Sequence, residues 1–301
     1  MFKTIRNAFK VKELKNKLLY TFMMLVVIRF GSALPIPGVR TDFFANWFAK
    51  QTTDVFGFFN AMTGGSFSQM SIFALSITPY ITSSIIIQLL TIAIPKLEEL
   101  QKDGEDGRKK IQEYTRYVTV GLALIESSAM AIGFGRQGLL ADYNAWNVIV
   151  AIVTMTTGSA LLMWIGEQIT DKGVGNGISI VLLLNILSSV PSDIRNLYFK
   201  FVFGQDIPMA ALRLAIVVLV IVAMVVFVIV LNDAERRIPV QYSKKMVGRK
   251  LVGGQASSIP LKVDTAGVMP VIFASSIMSF PVVISQFIPA MQQGWSGHLM
   301  K

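Results

Sequence analysis

The sequence contains no cysteine and a single histidine, His298. The first absence excludes a disulfide framework and any thiolate metal or redox site. One histidine near the C-terminus builds neither a zinc centre nor a Ser-His catalytic pair. Charge is also scarce. Asp, Glu, Lys and Arg make up 15% of the 301 residues, where a soluble domain carries about 25%. Apolar residues make up 53%, mean hydropathy is +0.57, and the apolar residues gather in long uncharged runs. Together these exclude a soluble globular domain and a disordered chain. The remaining charge is lopsided, 28 basic against 18 acidic residues for a net +10. In a membrane protein such an excess marks cytoplasmic loops before it marks nucleic acid.

A bilayer core about 30 Å thick takes about 20 apolar residues at 1.5 Å each. Residues 72–94 and 146–166 carry no charge, and residues 214–231 are apolar throughout. Residues 265–293 are uncharged but punctuated by Pro270, Pro281 and Pro289. Residues 117–134 carry only Glu126, and residues 18–39 only Arg29. Residues 177–190 are short, and count as a span if the helix starts near Gly173 and ends near Ser192. These runs make seven spans. No small-residue cleavage site follows the first, so the basic N-terminus does not read as a cleaved signal peptide. With the N-terminus inside, the cytoplasmic segments hold 20 of the 28 basic residues and the outer ones 7. That bias predicts a cytoplasmic N-terminus.

Several segments do not behave as plain spans. Residues 53–69 are too short to cross and too apolar for a solvated loop, and Gly64-Gly65 invites a chain break. A short helix dipping into the membrane would imply a cavity, because irregular backbone at that depth must face protein or water. A helix lying on the outer surface is the alternative. In the second span Pro79 can kink the helix, Thr82-Ser83-Ser84 allow close packing, and Gln88 must face protein or water. The seventh span, with Ser275-Ser276, Ser279 and Pro281, is similar, and ordinary helix packing accounts for both. Arg29 and Glu126 would each cost about 2.5–3.5 kcal/mol at the bilayer centre. Arg29 can snorkel outward, and a lone Glu126 does not make a proton relay. Asp103-Gly104-Glu105-Asp106-Gly107 lacks EF-hand spacing and reads as a solvated turn. Lys172-Gly173-Val174-Gly175-Asn176-Gly177 has the wrong spacing for a dinucleotide loop and reads as a tight turn. The loop at 232–264 carries seven basic residues, which can enforce topology or dock an acidic or RNA-bearing partner.

Taken in order, these segments resemble the bacterial SecY family, the channel subunit of the Sec protein translocase. The resemblance is carried by Arg29-Phe30-Gly31 with Pro35-Ile36-Pro37-Gly38, and by Gly64-Gly65 followed by Ile72-Phe73-Ala74-Leu75-Ser76-Ile77-Thr78-Pro79-Tyr80-Ile81. It continues in Ile85-Ile86-Ile87-Gln88-Leu89-Leu90, in Gly104-Glu105-Asp106-Gly107-Arg108-Lys109-Lys110-Ile111 and in Tyr114-Thr115-Arg116-Tyr117. Trp164-Ile165-Gly166-Glu167-Gln168-Ile169-Thr170, Gly175-Asn176-Gly177-Ile178-Ser179, Glu235-Arg236-Arg237-Ile238-Pro239-Val240-Gln241-Tyr242 and Pro260-Leu261-Lys262-Val263 complete it. No single motif is a chemical signature; the ordered set along the whole chain is specific.

The resemblance implies an all-α, polytopic translocon fold with a re-entrant plug. It implies an hourglass channel for unfolded polypeptide, closed by an apolar ring and opening sideways to lipid. The ring would be Ile77, Ile81, Leu182, Ile186 and Ile272. Without the resemblance, isoleucine pairs four apart in a span read as core or lipid-facing. The plug, at about 55–69, would include Phe56, Phe58, Phe59, Asn60, Met62, Gly64 and Gly65. The lateral gate would set Thr82 and Gln88 against Ser276 and Phe280. Lys109, Lys110, Arg236, Arg237, Lys244, Lys245, Arg249 and Lys250 would dock a ribosome or a SecA-type motor ATPase. Further implied partners are SecE-like and SecG-like small membrane subunits, signal sequences, unfolded substrate and membrane lipids. No cofactor, metal or catalytic residue is implied. The place would be the bacterial plasma membrane. Residues 1–197 would form the N-terminal half and 198–301 part of the C-terminal half. The family has ten helices, so seven imply a partial chain. A secondary transporter would instead need paired intramembrane charges and an inverted repeat, and an intramembrane metalloprotease would need His-Glu-x-x-His.

Overall fold

The computed structural model describes residues 11–42, 60–201, 203, 207–240, 245–247, 250–252, 257–264, 267 and 274. The chain divides into two compact units. One contains the residues up to Pro191, and the other is Ser192–Ile272.

In the first unit, α1 (Lys12–Ala33) gives way to extended Leu34 just before Pro35 and Pro37. Proline at these positions cannot continue a helix. The next long helix, α2 (Thr78–Ala93), places Pro79 in its first turn, where the missing N–H would have had no helical partner. The kink expected at Pro79 is therefore a helix start. The bend lies instead at Ile94, where Pro95 begins α3 (Pro95–Lys102) and the axis turns by 104°. Gly104, at φ 77°, reverses the chain into α4 (Glu105–Phe134). This helix begins twelve residues ahead of the span expected from residue 117, and Glu105 and Asp106 favour its N-terminal dipole. A π-helical turn, Gly135–Leu139, closes α4. Helix α5 (Ala145–Lys172) follows, then a turn through Gly175 at φ 73°. Asn176 Oδ1 accepts from the N–H groups of Ile178 and Ser179 at 3.1 and 3.4 Å, which caps the start of α6 (Gly177–Phe201). The short fifth span is thus a 25-residue helix that runs through Pro191.

Helix α4 packs along both α2 and α5, and α1 packs along α5. Small and hydroxylated residues let these axes approach. A Cβ on Gly158 would stand 2.1 Å from the Ile72 carbonyl oxygen, and one on Gly177 2.0 Å from that of Gly166. The Ser83 hydroxyl meets the Thr119 hydroxyl, and Ser127 Oγ lies 2.9 Å from Thr156 Oγ1. The main apolar core joins Phe67, Met70, Ala74 and Leu75 to Ala123 and Met130 of α4 and Met155 of α5.

In the second unit, α7 (Ile207–Asp233) is apolar on every side and exposed along its length. After it the basic segment forms two antiparallel ribbons, β1 (Glu235–Val240) with β4 (Ser257–Lys262), and β2 (Lys245–Val247) with β3 (Lys250–Val252). Pro239 and Pro260 are tolerated because each ribbon strand is an edge strand. The protein is mostly helical, and the ribbons are its departure from an all-helical reading.

Among the described residues, α4, α5, α6 and α7 are long and apolar enough to cross a membrane. The bent pair α2 and α3 makes a fifth candidate. Helix α1 has 22 residues, about 33 Å at a rise of 1.5 Å per residue. Apart from Gly267 and Ala274, the seventh expected span lies outside the described residues.

Candidate functional site

The site begins at the segment between α1 and α2. Residues 60–62 are helical, and the chain then runs through successive turns to Ile77. Backbone turns such as Gly65 N–H to Asn60 O at 3.0 Å hold the segment, and its side chains add further bonds. Asn60 Oδ1 accepts from the Ser68 N–H at 3.0 Å, and Thr63 Oγ1 accepts from the Phe67 N–H at 3.3 Å. Two backbone bonds fasten the segment to the end of α1, Ile72 N–H to Leu34 O at 2.9 Å and Ile36 N–H to Met70 O at 3.0 Å. Gly64 and Gly65 take the left-handed φ values 64° and 83° that a side chain would resist. Met62, Thr63, Phe67 and Met70 are buried. The described part of the segment is thus largely buried from Ser66 to Ile77, with Ala61 and Gln69 exposed.

The expected plug residues Asn60, Met62, Gly64 and Gly65 fall in this segment, while Phe56, Phe58 and Phe59 lie outside the described residues. Of the expected ring, Ile77 immediately precedes α2 and is fully buried, and Ile81 one turn later is also buried. Leu182 is half-buried on α6, Ile186 is 48% exposed, and Ile272 lies outside the described residues. Sequence reasoning missed Ile178. Its Cγ1 and the Ile77 Cδ1 would stand 3.3 and 3.6 Å from a Cβ on Gly166, so both side chains converge over that bare glycine.

Of the expected gate, Thr82 has a buried hydroxyl without a hydrogen-bond partner among the described residues, and Gln88 is exposed. Ser276 and Phe280 lie outside the described residues. Of the expected docking residues, Lys109 and Lys110 stand exposed on the first turns of α4. Arg236 and Arg237 are successive residues of β1 and fall on opposite faces of its ribbon. Lys245 and Lys250 belong to the β2–β3 ribbon, and Lys244 and Arg249 lie outside the described residues.

Sequence reasoning also passed over two polar links. Arg116 Nε donates to Glu167 Oε1 at 2.8 Å, joining α4 to α5, with Gln112 Nε2 3.4 Å from the same oxygen. Both ends of this pair belong to the family motifs, but nothing in the spacing pairs them. The second link is Asn185 Nδ2 to Ser76 Oγ at 2.9 Å. Among the described residues, no three of His, Cys, Asp and Glu gather as metal ligands.

Several long apolar helices, with a largely buried irregular segment between α1 and α2, define a multi-pass helical membrane protein. A sequence model of the SecY family matches residues 71–300. The protein translocase subunit SecY of Corynebacterium glutamicum is 42% identical over 295 residues, covering 94% of this chain and 65% of the relative. That of Streptomyces scabiei is 40% identical over 316 residues, covering all of this chain and 70% of the relative. The chain belongs to the SecY family. Among solved structures, one of a protein conducting channel superposes with a TM-score of 0.57 at 18% identity, covering 92% of this chain and 59% of that one. Sec61 in a canine ribosome-channel complex gives a TM-score of 0.55 at 17% identity, covering 92% and 60%. The chain thus spans somewhat less than two thirds of the first of these relatives and of both solved chains.

Proposed function

We propose that this chain is the pore-forming part of a Sec protein translocase in the bacterial plasma membrane, with its N-terminus in the cytoplasm. It would conduct unfolded secretory polypeptides across the membrane and release membrane-protein helices sideways into lipid. The observation that carries this reading is the buried re-entrant segment, which runs directly into Ile77 and Ile81 at the start of α2. Segment and seal are then one continuous stretch of chain, a plug joined to a constriction. A narrow ring of branched apolar side chains holds back ions by dewetting and yields to a passing peptide. Ile77, Ile81, Leu182, Ile186 and Ile272 supply the ring in this reading. Ile178 is a further candidate member, because it and Ile77 both pack against Gly166.

Residues 1–197 act as one half of the channel and 198–301 as part of the other. The lateral gate pairs Thr82 and Gln88 with Ser276 and Phe280. Polar groups at such a seam make it weaker and wetter than a dry one, so an apolar signal helix can replace them. Lys109, Lys110, Arg236, Arg237, Lys244, Lys245, Arg249 and Lys250 dock the ribosome or a SecA-type motor, whose acidic or RNA surfaces basic loops attract. SecE-like and SecG-like subunits accompany the chain. It needs no catalytic group, because the docked partner supplies the energy.

The test replaces Ile81 and Leu182 with serine in the full-length native chain and measures ion leak across resting membranes. Leak well above wild type is the expected result. Leak no greater than wild type would remove both residues from the seal.

A further inference from the structure

Two polar side chains of α6 belong to neither the ring nor the gate, and both touch the re-entrant segment. Asn185 is 3% exposed and donates from Nδ2 to Ser76 Oγ at 2.9 Å. One turn further on, the Ser188 hydroxyl is shared between Asn185 O at 2.7 Å and Gly64 O at 3.3 Å. Gly64 lies directly on the helix, since a Cβ there would stand 2.7 Å from both Asn185 O and Ser188 Oγ. A buried amide in an apolar span is costly unless paired, so Asn185 has a strong reason to keep Ser76. Both anchor points hold left-handed backbone. Gly64 has φ 64°, and Ser76 has φ 53°, with Met70 at φ 46° between them. A serine in that region is strained and persists only where its surroundings hold it.

We infer that Asn185 and Ser188 clasp the re-entrant segment to α6 at two points, and that breaking this clasp is a step in displacing the segment from the pore. The inference rests on the channel reading for its consequence, while the clasp itself rests on contacts within the first unit. Asn185 and Ser188 are positioning residues, acting on conduction only through the segment they hold. The left-handed Ser76 favours release once its bond parts, because the freed backbone relaxes, whereas Gly64 holds its φ without strain.

The test uses the full-length chain with its accompanying subunits in vesicles. These 301 residues contain no cysteine to compete with a reporter. Met62, 7% exposed, is replaced by cysteine as that reporter, and an impermeant maleimide measures how often the segment leaves its seat. Asn185→Ala, Ser76→Ala and Ser188→Ala are each expected to speed labelling about fivefold, the worth of one net hydrogen bond. Ser188→Thr, which keeps the hydroxyl, should label as wild type does. The Ser76→Ala/Asn185→Ala double variant should label no faster than the faster single, because both remove the same bond.

Unchanged labelling in all three alanine variants overturns the clasp, and so does simple additivity in the double variant. Should Asn185→Ala fail to fold, Ser76→Ala reads the same bond from its other end. Ion leak is recorded beside labelling, with a chain lacking residues 60–69 as reference. Faster labelling with raised leak supports the clasp as part of the gate. If the deletion does not leak, the conduction reading fails, while labelling still decides the clasp.

Discussion

A bare Cα is what several contacts in this protein require. Gly158 of α5 lies so close to the chain before α2 that any side chain would meet a main-chain oxygen, which cannot rotate away. Gly158→Ala should therefore destabilise the protein by about 1–3 kcal/mol, the usual cost of overpacking. Thermal unfolding in detergent measures it, and a melting temperature equal to wild type would mean the helices can separate without loss. Gly121 of α4 has nothing within 4 Å of its absent Cβ, and Gly121→Ala is the control that should not destabilise. Both glycines look alike in the sequence. The small residues of the spans were legible as packing positions, but which of them a neighbour touches depends on chain segments far apart in sequence.

At the scale of elements, a charged contact links α4 to α5 beside their apolar packing. The Glu167 side chain is 9% exposed and that of Arg116 44%. Removing the arginine leaves a nearly buried carboxylate without its cation, so Arg116→Ala should cost about 1–3 kcal/mol. The upper end for a buried pair does not apply, because water still screens the guanidinium. Arg116→Ala combined with Glu167→Gln should recover part of the loss, since the stranded charge is gone. Unfolding measurements on the three variants decide this, and a double variant less stable than Arg116→Ala would contradict it. The positions of most helices were legible from uncharged runs. Their ends were less so. Helix α4 starts well before its apolar run because a charged helix end can project into water at no cost. Helix α6 passes through Pro191, and a local proline rule would have stopped it. The ribbons after α7 were not legible at all, because a basic segment with two prolines lacks the alternation of a half-buried strand.

For the molecule as a whole, orientation is the prediction that stands furthest from any single contact. The absence of cysteine from this sequence makes single-cysteine labelling direct. In intact cells, a cysteine replacing exposed Asp142, in the turn before α5, should react with an impermeant thiol reagent. One replacing Lys110 should react only after the membrane is opened. The reverse pattern would invert the topology and place the basic ribbons on the wrong side for a cytoplasmic partner.

The sequence by itself determined the class and the positions of most spans, and its basic bias predicts the sidedness. Each depends on composition over tens of residues, and the bilayer reads composition: apolar length sets a span and basic loops set its direction. The ordered motifs added the family. Only the tertiary structure decided that residues 60–77 lie largely buried, that Ile178 and Ile77 both pack against Gly166, and that Asn185 and Ser188 hold Ser76 and Gly64. Those pairings join residues about a hundred positions apart. Hydropathy carries no record of which turn of one helix faces which turn of another, and packing alone settles it.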